Sequence, residues 1–406
     1  MQKDALAPRY ARQFGCTGPR CPDNCCQENW TISIDHDTYQ LYRLDPQLGK
    51  LMQPYLQENN DLVTKEFYPA TLKQNIKTGG CDLQEKSGFC KIHKEFGINA
   101  LSHTCAVYPR QYQPLGTDQL LSMNESCPEV ARHLIEDQDA LELEFGSVYA
   151  WDRLILVDQT EFNDAYHNRY ALLQGLITIL RYRAISLEKR LFICSLLVQR
   201  AERVIAEGQA SELSMQELLD LFSQLINEGY FDQQAVLLKE KNDGALGLFI
   251  LSRLLDLPSK KDKFKEALDQ VTSGLGIHDH KKLHMDHIQA LDKARKKHLS
   301  SLEKQYPWIL ENIVVNWVLF GLFPIHKERI KDGWLSITTR YLLLRSLLSG
   351  MGAAKKGLKK EDVIQLTYLF GRQVSSAPQR MASLQLELIN KKFDDPASFV
   401  RALSEI

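Results

Sequence analysis

The chain has 406 residues, of which 44% are hydrophobic and 25% are charged, and its formal net charge is -1. This composition is that of an ordinary folded protein and excludes a disordered or collagen-like chain. The balanced charge excludes a whole-molecule attraction to nucleic acid or to an anionic membrane. We therefore expect a folded protein whose partners are neither nucleic acid nor membrane.

The first part of the chain, residues 1–130, is expected to be irregular and rich in cysteine. Prolines interrupt it throughout, and residues 30–34 alternate in a way that allows one strand. Eight of the nine cysteines lie there, and the ninth, Cys194, falls in a leucine-rich helical segment. Residues 1–8 hold no apolar leader, so we expect the chain in the reducing cytoplasm, where thiols bind metals more often than they form disulfides.

The eight N-terminal thiols fall into two groups along the chain. Four lie close together with the spacing C-x4-C-x3-C-C, and four are more widely spread. They are Cys16, Cys21, Cys25 and Cys26 in the first group and Cys81, Cys90, Cys105 and Cys127 in the second. Because successive side chains diverge, the adjacent Cys25 and Cys26 are expected either to have different roles or to include one that contacts a ligand rather than the metal. Counting allows two four-thiolate sites or one site with spare cysteines.

Three interpretations of these thiols compete. Tetrahedral zinc is satisfied by any four thiolates, although the spacings are not the two-residue knuckles of zinc ribbons. An iron–sulfur cluster also takes four thiolates, and a proline directly follows Cys21 and Cys127, as in many iron–sulfur ligand runs. The remaining alternative is a set of small buried apolar side chains. The clustering favours metal binding, and spacing alone leaves the metal open.

The rest of the chain, residues 131–406, is predicted to be helical. Apolar residues recur at three- and four-residue spacing over residues 166–180. The longest apolar stretch, residues 309–323, is interrupted by polar residues and is too short to span a bilayer, so we predict a buried helix there. The predicted fold is therefore mainly α, with an irregular, metal-stapled, cysteine-rich region over residues 1–130 and an all-helical domain over residues 131–406.

Two further patterns in the helical part are given structural interpretations. His280 and His284 share one helix face if this segment is helical, at the spacing of a two-histidine metal site, but the lysines between them favour a solvated surface. Residues 350–357 are rich in glycine, but they follow a leucine-rich helix and lack the spacing of a phosphate-binding loop. A helix C-cap is the favoured interpretation there.

Several ordered motifs accompany the eight thiols. They are the C-x4-C-x3-C-C run, Trp30 with Ile32, Ile34, Asp35 and Tyr39, then Cys90-Lys91-Ile92-His93, Thr104-Cys105-Ala106-Val107-Tyr108-Pro109-Arg110 and Ser126-Cys127-Pro128-Glu129. In this order they resemble the bacterial flagellin lysine-N-methylase family, whose N-terminal part is similar to a broader group of cysteine-cluster proteins that chelate zinc or iron. One departure is Glu28-Asn29 before Trp30, where the family pattern leads us to expect a glycine.

The resemblance implies methyl transfer from S-adenosylmethionine to lysine side chains of flagellin. It also implies a cysteine-ligated iron–sulfur cluster, of the [4Fe–4S] type, with zinc as the alternative metal. The sequence has no G-x-G-x-x-G after a strand and no C-x3-C-x2-C run, so the methyl source rests on the resemblance. A cluster held by three protein thiolates leaves one iron open to chelate the donor's amino and carboxylate groups.

Tyr108 and Arg110, just after Cys105, are the candidate cofactor-binding residues. Arg110 can clamp the donor's carboxylate with two hydrogen bonds, and the alternative is a structural arginine paired with a local acid. His93 and His103 lie between the thiols, where a bond to a ligating sulfur is favoured over direct metal ligation.

Two functions follow as hypotheses. The first is a protein-lysine methyltransferase that acts on flagellin, with no catalytic side chain identified, because the substrate's own amine is the nucleophile. The alternative is a zinc- or iron-binding module without enzymatic activity that binds a protein partner. The enzyme raises the mass of flagellin in methyl-sized steps, whereas the module leaves it unchanged.

Overall fold

The computed structural model describes residues 2–27, 30–75, 79–149, 164–208, 212–232, 245–256, 263–326, 329–375 and 378–393. The chain folds into two compact units. The first comprises Met1–Val130 with Glu142–Gln159, and the second comprises Ala131–Leu141 with Thr160–Ile406. The predicted mainly-α fold, with irregular elements around the cysteines, is confirmed. Glu28 and Asn29, where the family pattern leads us to expect a glycine, lie outside the described residues.

A four-stranded sheet forms one layer of the first unit, with the strand order β5-β6-β1-β7. Its strands are β1 (Gln2–Pro8), β5 (Arg110–Leu115), β6 (Asp118–Met123) and β7 (Leu143–Tyr149). Strand β1 runs parallel to β6 and antiparallel to β7, and β5 and β6 form an antiparallel pair. Tyr10 in α1 (Arg9–Gln13) is fully buried, and its hydroxyl accepts the backbone N–H of Met123 at 3.0 Å. The sheet thereby fixes the segments that lead to Cys16 and to Cys127.

The remaining short elements of this unit are helices and a second, three-stranded sheet with the order β2-β4-β3. These elements are β2 (Ser33–Ile34), α2 (His36–Leu44), α3 (Pro46–Met52), β3 (Leu56–Glu58), α4 (Leu62–Phe67), β4 (Ala70–Leu72), α5 (Lys91–Phe96) and α6 (His103–Val107). Asp35 caps α2 by accepting the N–H of Thr38 at 2.9 Å, and it also accepts the N–H of His103 at 2.7 Å. One carboxylate therefore joins the first turns of α2 and α6.

The sequence predicts a strand at residues 30–34, and the structure has β2 at Ser33–Ile34. The structure has further strands that the sequence did not predict. Strand β3, for example, has an intermediate residue followed by two exposed ones, so it shows no apolar alternation. Backbone pairing with β4 defines this strand instead.

The second unit is a bundle of helices around a long central helix. After α7 (Pro128–Glu136), its helices are α8 (Asp164–Leu180), α9 (Leu187–Glu207), α10 (Met215–Asn227), α11 (Ala245–Leu255), α12 (Lys263–Gly274), α13 (Met285–Ala294), α14 (Ser300–Gln305), α15 (Ile309–Phe320), α16 (Ile330–Lys355), α17 (Lys360–Phe370) and α18 (Pro378–Asn390). Helix α16 has 26 residues and is buried along most of its length. A Cβ on Gly274 of α12 would meet the Gly350 carbonyl oxygen at 2.1 Å, so glycine allows α12 and α16 to approach closely.

The structural interpretations of the helical part are confirmed. Helix α16 ends at Lys355, and Lys356 takes a left-handed C-cap conformation, so the glycine-rich stretch closes a helix. Helix α13 begins only at Met285, so His280 and His284 do not share a helix face. Cys194 is completely buried in α9.

Polar groups inside the apolar helix α15 find partners within the second unit. Glu311 is fully buried, and its carboxylate pairs with Arg190 at 2.6 Å and with Arg183 at 2.9 Å. The side-chain amide of Asn312 donates to the carbonyl oxygens of Leu134 and Asp137, each at 2.9 Å. Helix α15 is therefore a buried helix, as predicted. Among the described residues, no helix is long and apolar enough to cross a membrane.

Candidate metal and cofactor site

All eight N-terminal thiols line a single cavity in the first unit. The cavity has a volume of about 240 Å³ and a mostly apolar lining. Its thiols are Cys16, Cys21, Cys25, Cys26, Cys81, Cys90, Cys105 and Cys127. Cys16 is exposed and Cys127 is buried, and the other six are partly buried. The fold thus brings both sequence groups to one place, although the second group spans residues 81–127.

The local backbone favours the thiolate form of two of these cysteines, against the larger effect of burial. Cys90 lies at the N-cap of α5, where its side chain makes no capping hydrogen bond, and the backbone of Ile92 and His93 lowers the pKa of its thiol. Cys127 lies directly before α7, and the backbone of Glu129 and Val130 lowers the pKa of its thiol in the same way. Donors at a helix N-terminus stabilise the thiolate, which is the form that binds metals.

Burial opposes ionisation of the same thiols. It is the largest cause that raises the pKa of Cys105 to about 12, and the neighbouring thiols Cys25, Cys81 and Cys90 raise it further. Burial likewise raises the pKa of Cys127 to about 12. A cationic metal centre reverses this preference, because it binds the deprotonated thiol and releases the proton. Burial of the thiols is therefore a cost that a metal centre in this cavity has to offset.

The adjacent cysteines of the first group are held by a tight turn. Asn24 accepts the N–H of Cys26 at 2.9 Å through its side-chain oxygen, and the indole N–H of Trp30 donates to the Cys25 carbonyl at 3.1 Å. A hydrogen bond with Cys25 is the largest cause that raises the pKa of Cys26. Sequence reasoning missed Asn24, although an asparagine that bonds the backbone two residues on is a recognised turn signal.

The candidate cofactor-binding residues Tyr108 and Arg110 line the same cavity. The Tyr108 hydroxyl lies 3.0 Å from the Ser126 hydroxyl, and its ring meets Trp30 edge-on with centroids 5.0 Å apart. The Arg110 guanidinium lies over the ring of Phe14, 4.9 Å from its centroid. Phe14 is a further cavity residue that the sequence motifs did not indicate.

The two histidines between the thiols have different positions. His93 lines the cavity, whereas His103 opens α6 and its backbone N–H donates to Asp35. Within the described ranges, no group of three or more His, Cys, Asp or Glu side chains is placed to hold a metal ion.

The fold defines a mainly helical protein with two units: an N-terminal unit whose small sheets surround a cysteine-lined cavity, and a unit of buried helices. Residues 174–401 match the family model described as the FliB lysine N-methylase C-terminal domain. This match covers more than half of the chain, so the chain belongs to the FliB lysine N-methylase family. It is a lysine N-methyltransferase, and the family predicted from the cysteine motifs is confirmed.

Curated relatives extend this similarity to the N-terminal unit. The lysine-N-methylase of Salmonella typhimurium is 22% identical over 380 residues, which is 89% of this chain and 90% of the relative. A lysine-N-methylase of Salmonella choleraesuis matches to the same extent. The flagellar biosynthetic protein FliU of Salmonella muenchen is 29% identical over 137 residues, which is 34% of this chain and 79% of that protein. No solved structure matches the chain.

Proposed function

We propose that this lysine N-methyltransferase transfers methyl groups from S-adenosylmethionine to lysine side chains of flagellin, and that its activity depends on a cysteine-ligated iron–sulfur cluster. The observation that carries the proposal is the convergence of eight thiols, Tyr108 and Arg110 on one cavity. Support for a flagellar substrate comes from the similarity to FliU, which is named a flagellar biosynthetic protein.

The side chains of the cavity are of the type that an iron–sulfur cluster binds, although within the described residues no three of them are placed around one metal position. Thiolates are soft ligands, and the backbone at the starts of α5 and α7 favours the thiolate forms of Cys90 and Cys127 against the effect of burial. Zinc takes the same ligands and remains the alternative metal. When bound, a cluster with one open iron position supplies a Lewis-acidic site for the donor's amino and carboxylate groups.

The side chains around the thiols suit the rest of the donor. Arg110 presents a planar guanidinium that can bind a carboxylate through two hydrogen bonds. The rings of Phe14, Trp30 and Tyr108 supply aromatic faces, which attract a cation such as a sulfonium. We assign donor binding to Tyr108 and Arg110 on this basis.

The nucleophile in this reaction is the substrate's own amine. A free lysine side chain has a pKa of about 10.4, so the site must desolvate the ammonium group and release its proton to solvent before attack. The amine nitrogen then bonds to the methyl carbon as the carbon–sulfur bond breaks, and the sulfonium leaves as a neutral thioether. The enzyme contributes by orienting the two reactants. Because free thiols persist in a reducing compartment, we place this reaction in the cytoplasm, before flagellin is exported.

An intact-mass measurement of flagellin tests the proposal. Wild-type protein with donor is expected to raise the flagellin mass in methyl-sized steps and to leave an unrelated lysine-containing protein unchanged. Flagellin of unchanged mass overturns the proposal and favours the non-enzymatic metal-binding module.

Variants of two arginines test the role of Arg110. Arg110→Lys loses the two-bond geometry, so the KM for the donor is expected to rise about tenfold with a smaller change in kcat. Arg43→Lys is the matched control, because Arg43 also lies over an aromatic ring, that of Tyr39, but on α2. Equal effects of the two variants contradict donor binding by Arg110.

A further inference from the structure

A lysine ammonium lies against two aromatic rings in the second unit. The Nζ atom of Lys360 is 4.2 Å from the ring centroid of Tyr306 and 5.3 Å from that of Trp308. The two rings meet at an interplanar angle of 73°, and their centroids are 5.4 Å apart. They form the two walls of a corner, and both walls lie within the distance at which an aromatic face attracts a cation.

The local backbone and one side-chain hydrogen bond fix the two rings. Tyr306 lies in the turn between α14 and α15, where Pro307 keeps it out of the helical conformation, with φ at -137° and ψ at 71°. Trp308 begins α15, and its carbonyl oxygen accepts the N–H of Asn312 at 2.7 Å. The indole N–H of Trp308 donates to the carbonyl oxygen of Ile135 at 3.0 Å. A site whose walls are held in this way loses little conformational freedom when it binds a ligand.

Lys360 is the part of this arrangement that can leave. It is the first residue of α17, where the positive end of the helix dipole disfavours a cation. Lys360 and both ring residues are partly exposed, so solvent reaches the corner. Among the described residues, the two rings are the partners of its ammonium. Because the lysine stem is flexible, a second cation can replace the ammonium without movement of the backbone.

The chemistry of the corner favours a methylated ammonium over an unmodified one. The ammonium of an unmodified lysine is compact and strongly hydrated, so it gives up water when it packs against the rings. Each methyl group removes one N–H that bonds to water and adds apolar surface that packs on a ring. Aromatic walls of this kind recognise methylated lysine and other quaternary ammonium groups. Methylated lysine is also the side chain that a lysine N-methyltransferase produces.

We infer that Tyr306 and Trp308 form a second binding site, which takes a methylated lysine side chain of a protein, and that Lys360 fills this site until such a side chain displaces it. The residues of this site belong to the helical unit, whereas the thiols line a cavity of the first unit. The inference depends on lysine methylation alone and holds for any metal that the thiols bind. Such a site retains a substrate that already carries methyl groups while further lysines are modified.

Binding of synthetic peptides to the full-length chain tests the inference. Two fluorescently labelled glycine–serine peptides carry either one trimethyllysine or one unmodified lysine, and fluorescence anisotropy gives each dissociation constant. The trimethyllysine peptide is expected to bind about tenfold more tightly. Equal affinities overturn the inference. Neither methyl donor nor flagellin is present, so the result is independent of the proposed function, which the mass of flagellin tests separately.

Substitutions at the corner identify the occupant and the walls. Lys360→Ala removes the occupant, and the affinity for the trimethyllysine peptide is expected to rise about tenfold if Lys360 fills the corner for about nine-tenths of the time. Lys359→Ala is the matched control, because it removes the same charge from the exposed neighbouring residue and is expected to change nothing. Tyr306→Leu keeps an apolar side chain without an aromatic face and is expected to weaken binding about tenfold. Equal effects of the two lysine variants overturn displacement.

A purely structural contact gives a different pattern. If Lys360 only joins α17 to the turn before α15, Lys360→Ala lowers the stability of the chain and creates no additional affinity for trimethyllysine, which overturns the inference. A third peptide makes the test independent of whether a variant folds. It carries the neutral analogue of trimethyllysine, in which carbon replaces the charged nitrogen, and wild type is expected to bind it about tenfold more weakly than trimethyllysine. Equal binding of the charged and the neutral peptide overturns recognition by the rings.

Discussion

The two units of this chain are stabilised in different ways. The first is assembled from short elements, and α2, one of its longer helices, has nine residues. The second contains the 26-residue α16, whose buried positions run along most of the helix. Long apolar helices stabilise a unit by packing alone, whereas short elements around a cavity bury less surface per residue. From this comparison we expect the stability of the first unit, but not that of the second, to depend on a group bound by the thiols.

Removal of a metal bound by the thiols is expected to have the largest effect. It lowers the hydrogen-exchange protection of the first unit but not that of the second. Hydrogen exchange followed by peptide mass spectrometry reports protection element by element. We expect α2 and α5 to lose protection in metal-free protein while α16 keeps it, because the thiols lose the charge that holds them together. Equal loss in both units, or no loss in the first, breaks the comparison.

The buried ion group of the second unit gives the next largest effect. Glu311→Gln leaves the buried guanidinium of Arg190 without its charged partner, and we expect a loss of about 3 kcal/mol in the free energy of unfolding. Urea unfolding followed by circular dichroism measures it. The control Glu207→Gln changes an exposed carboxylate at the end of α9 and is expected to cost about 0.5 kcal/mol or less. Equal losses refute the role of Glu311.

In the first unit, Asp35 offers a smaller test. Asp35→Ala removes the cap of α2 and the bond to the His103 N–H, and we expect a loss of about 2 kcal/mol. Asp61 caps α4 through the N–H of Thr64 at 2.7 Å, so Asp61→Ala is the matched control, with an expected loss of about 1 kcal/mol or less. A loss from Asp61→Ala as large as that from Asp35→Ala shows that the long-range bond contributes nothing.

The smallest expected effect is a loss of folding stability at alkaline pH, and it arises in both units. Burial raises the pKa of Tyr10 in the first unit and of Tyr341 in the second above the ordinary value of 10.0. The folded chain keeps these protons and the unfolded chain releases them, so stability is intact below about pH 10 and falls as the pH rises, by at most about 1.4 kcal/mol per pH unit for one proton. Tyr10→Phe and Tyr341→Phe are each expected to reduce this slope in urea titrations. Slopes unchanged from wild type contradict the assignment.

The sequence predicted the helical unit well, because apolar periodicity reports directly on helices. It also identified all eight cavity thiols and the buried helix at residues 309–323. It could not predict the strands around the cavity, since β3 forms by backbone pairing with β4. Nor could it place Phe14 next to Arg110, because that contact joins residues that are far apart in the chain.

The dependence of methyl transfer on the cysteine centre is tested most directly with three forms of the same chain. Flagellin and donor are incubated with anaerobically purified protein, with metal-free protein, and with metal-free protein rebuilt with iron and sulfide. We predict methyl-sized mass increases of flagellin with the first and third forms and none with the second. Equal methylation by the metal-free form would contradict the account.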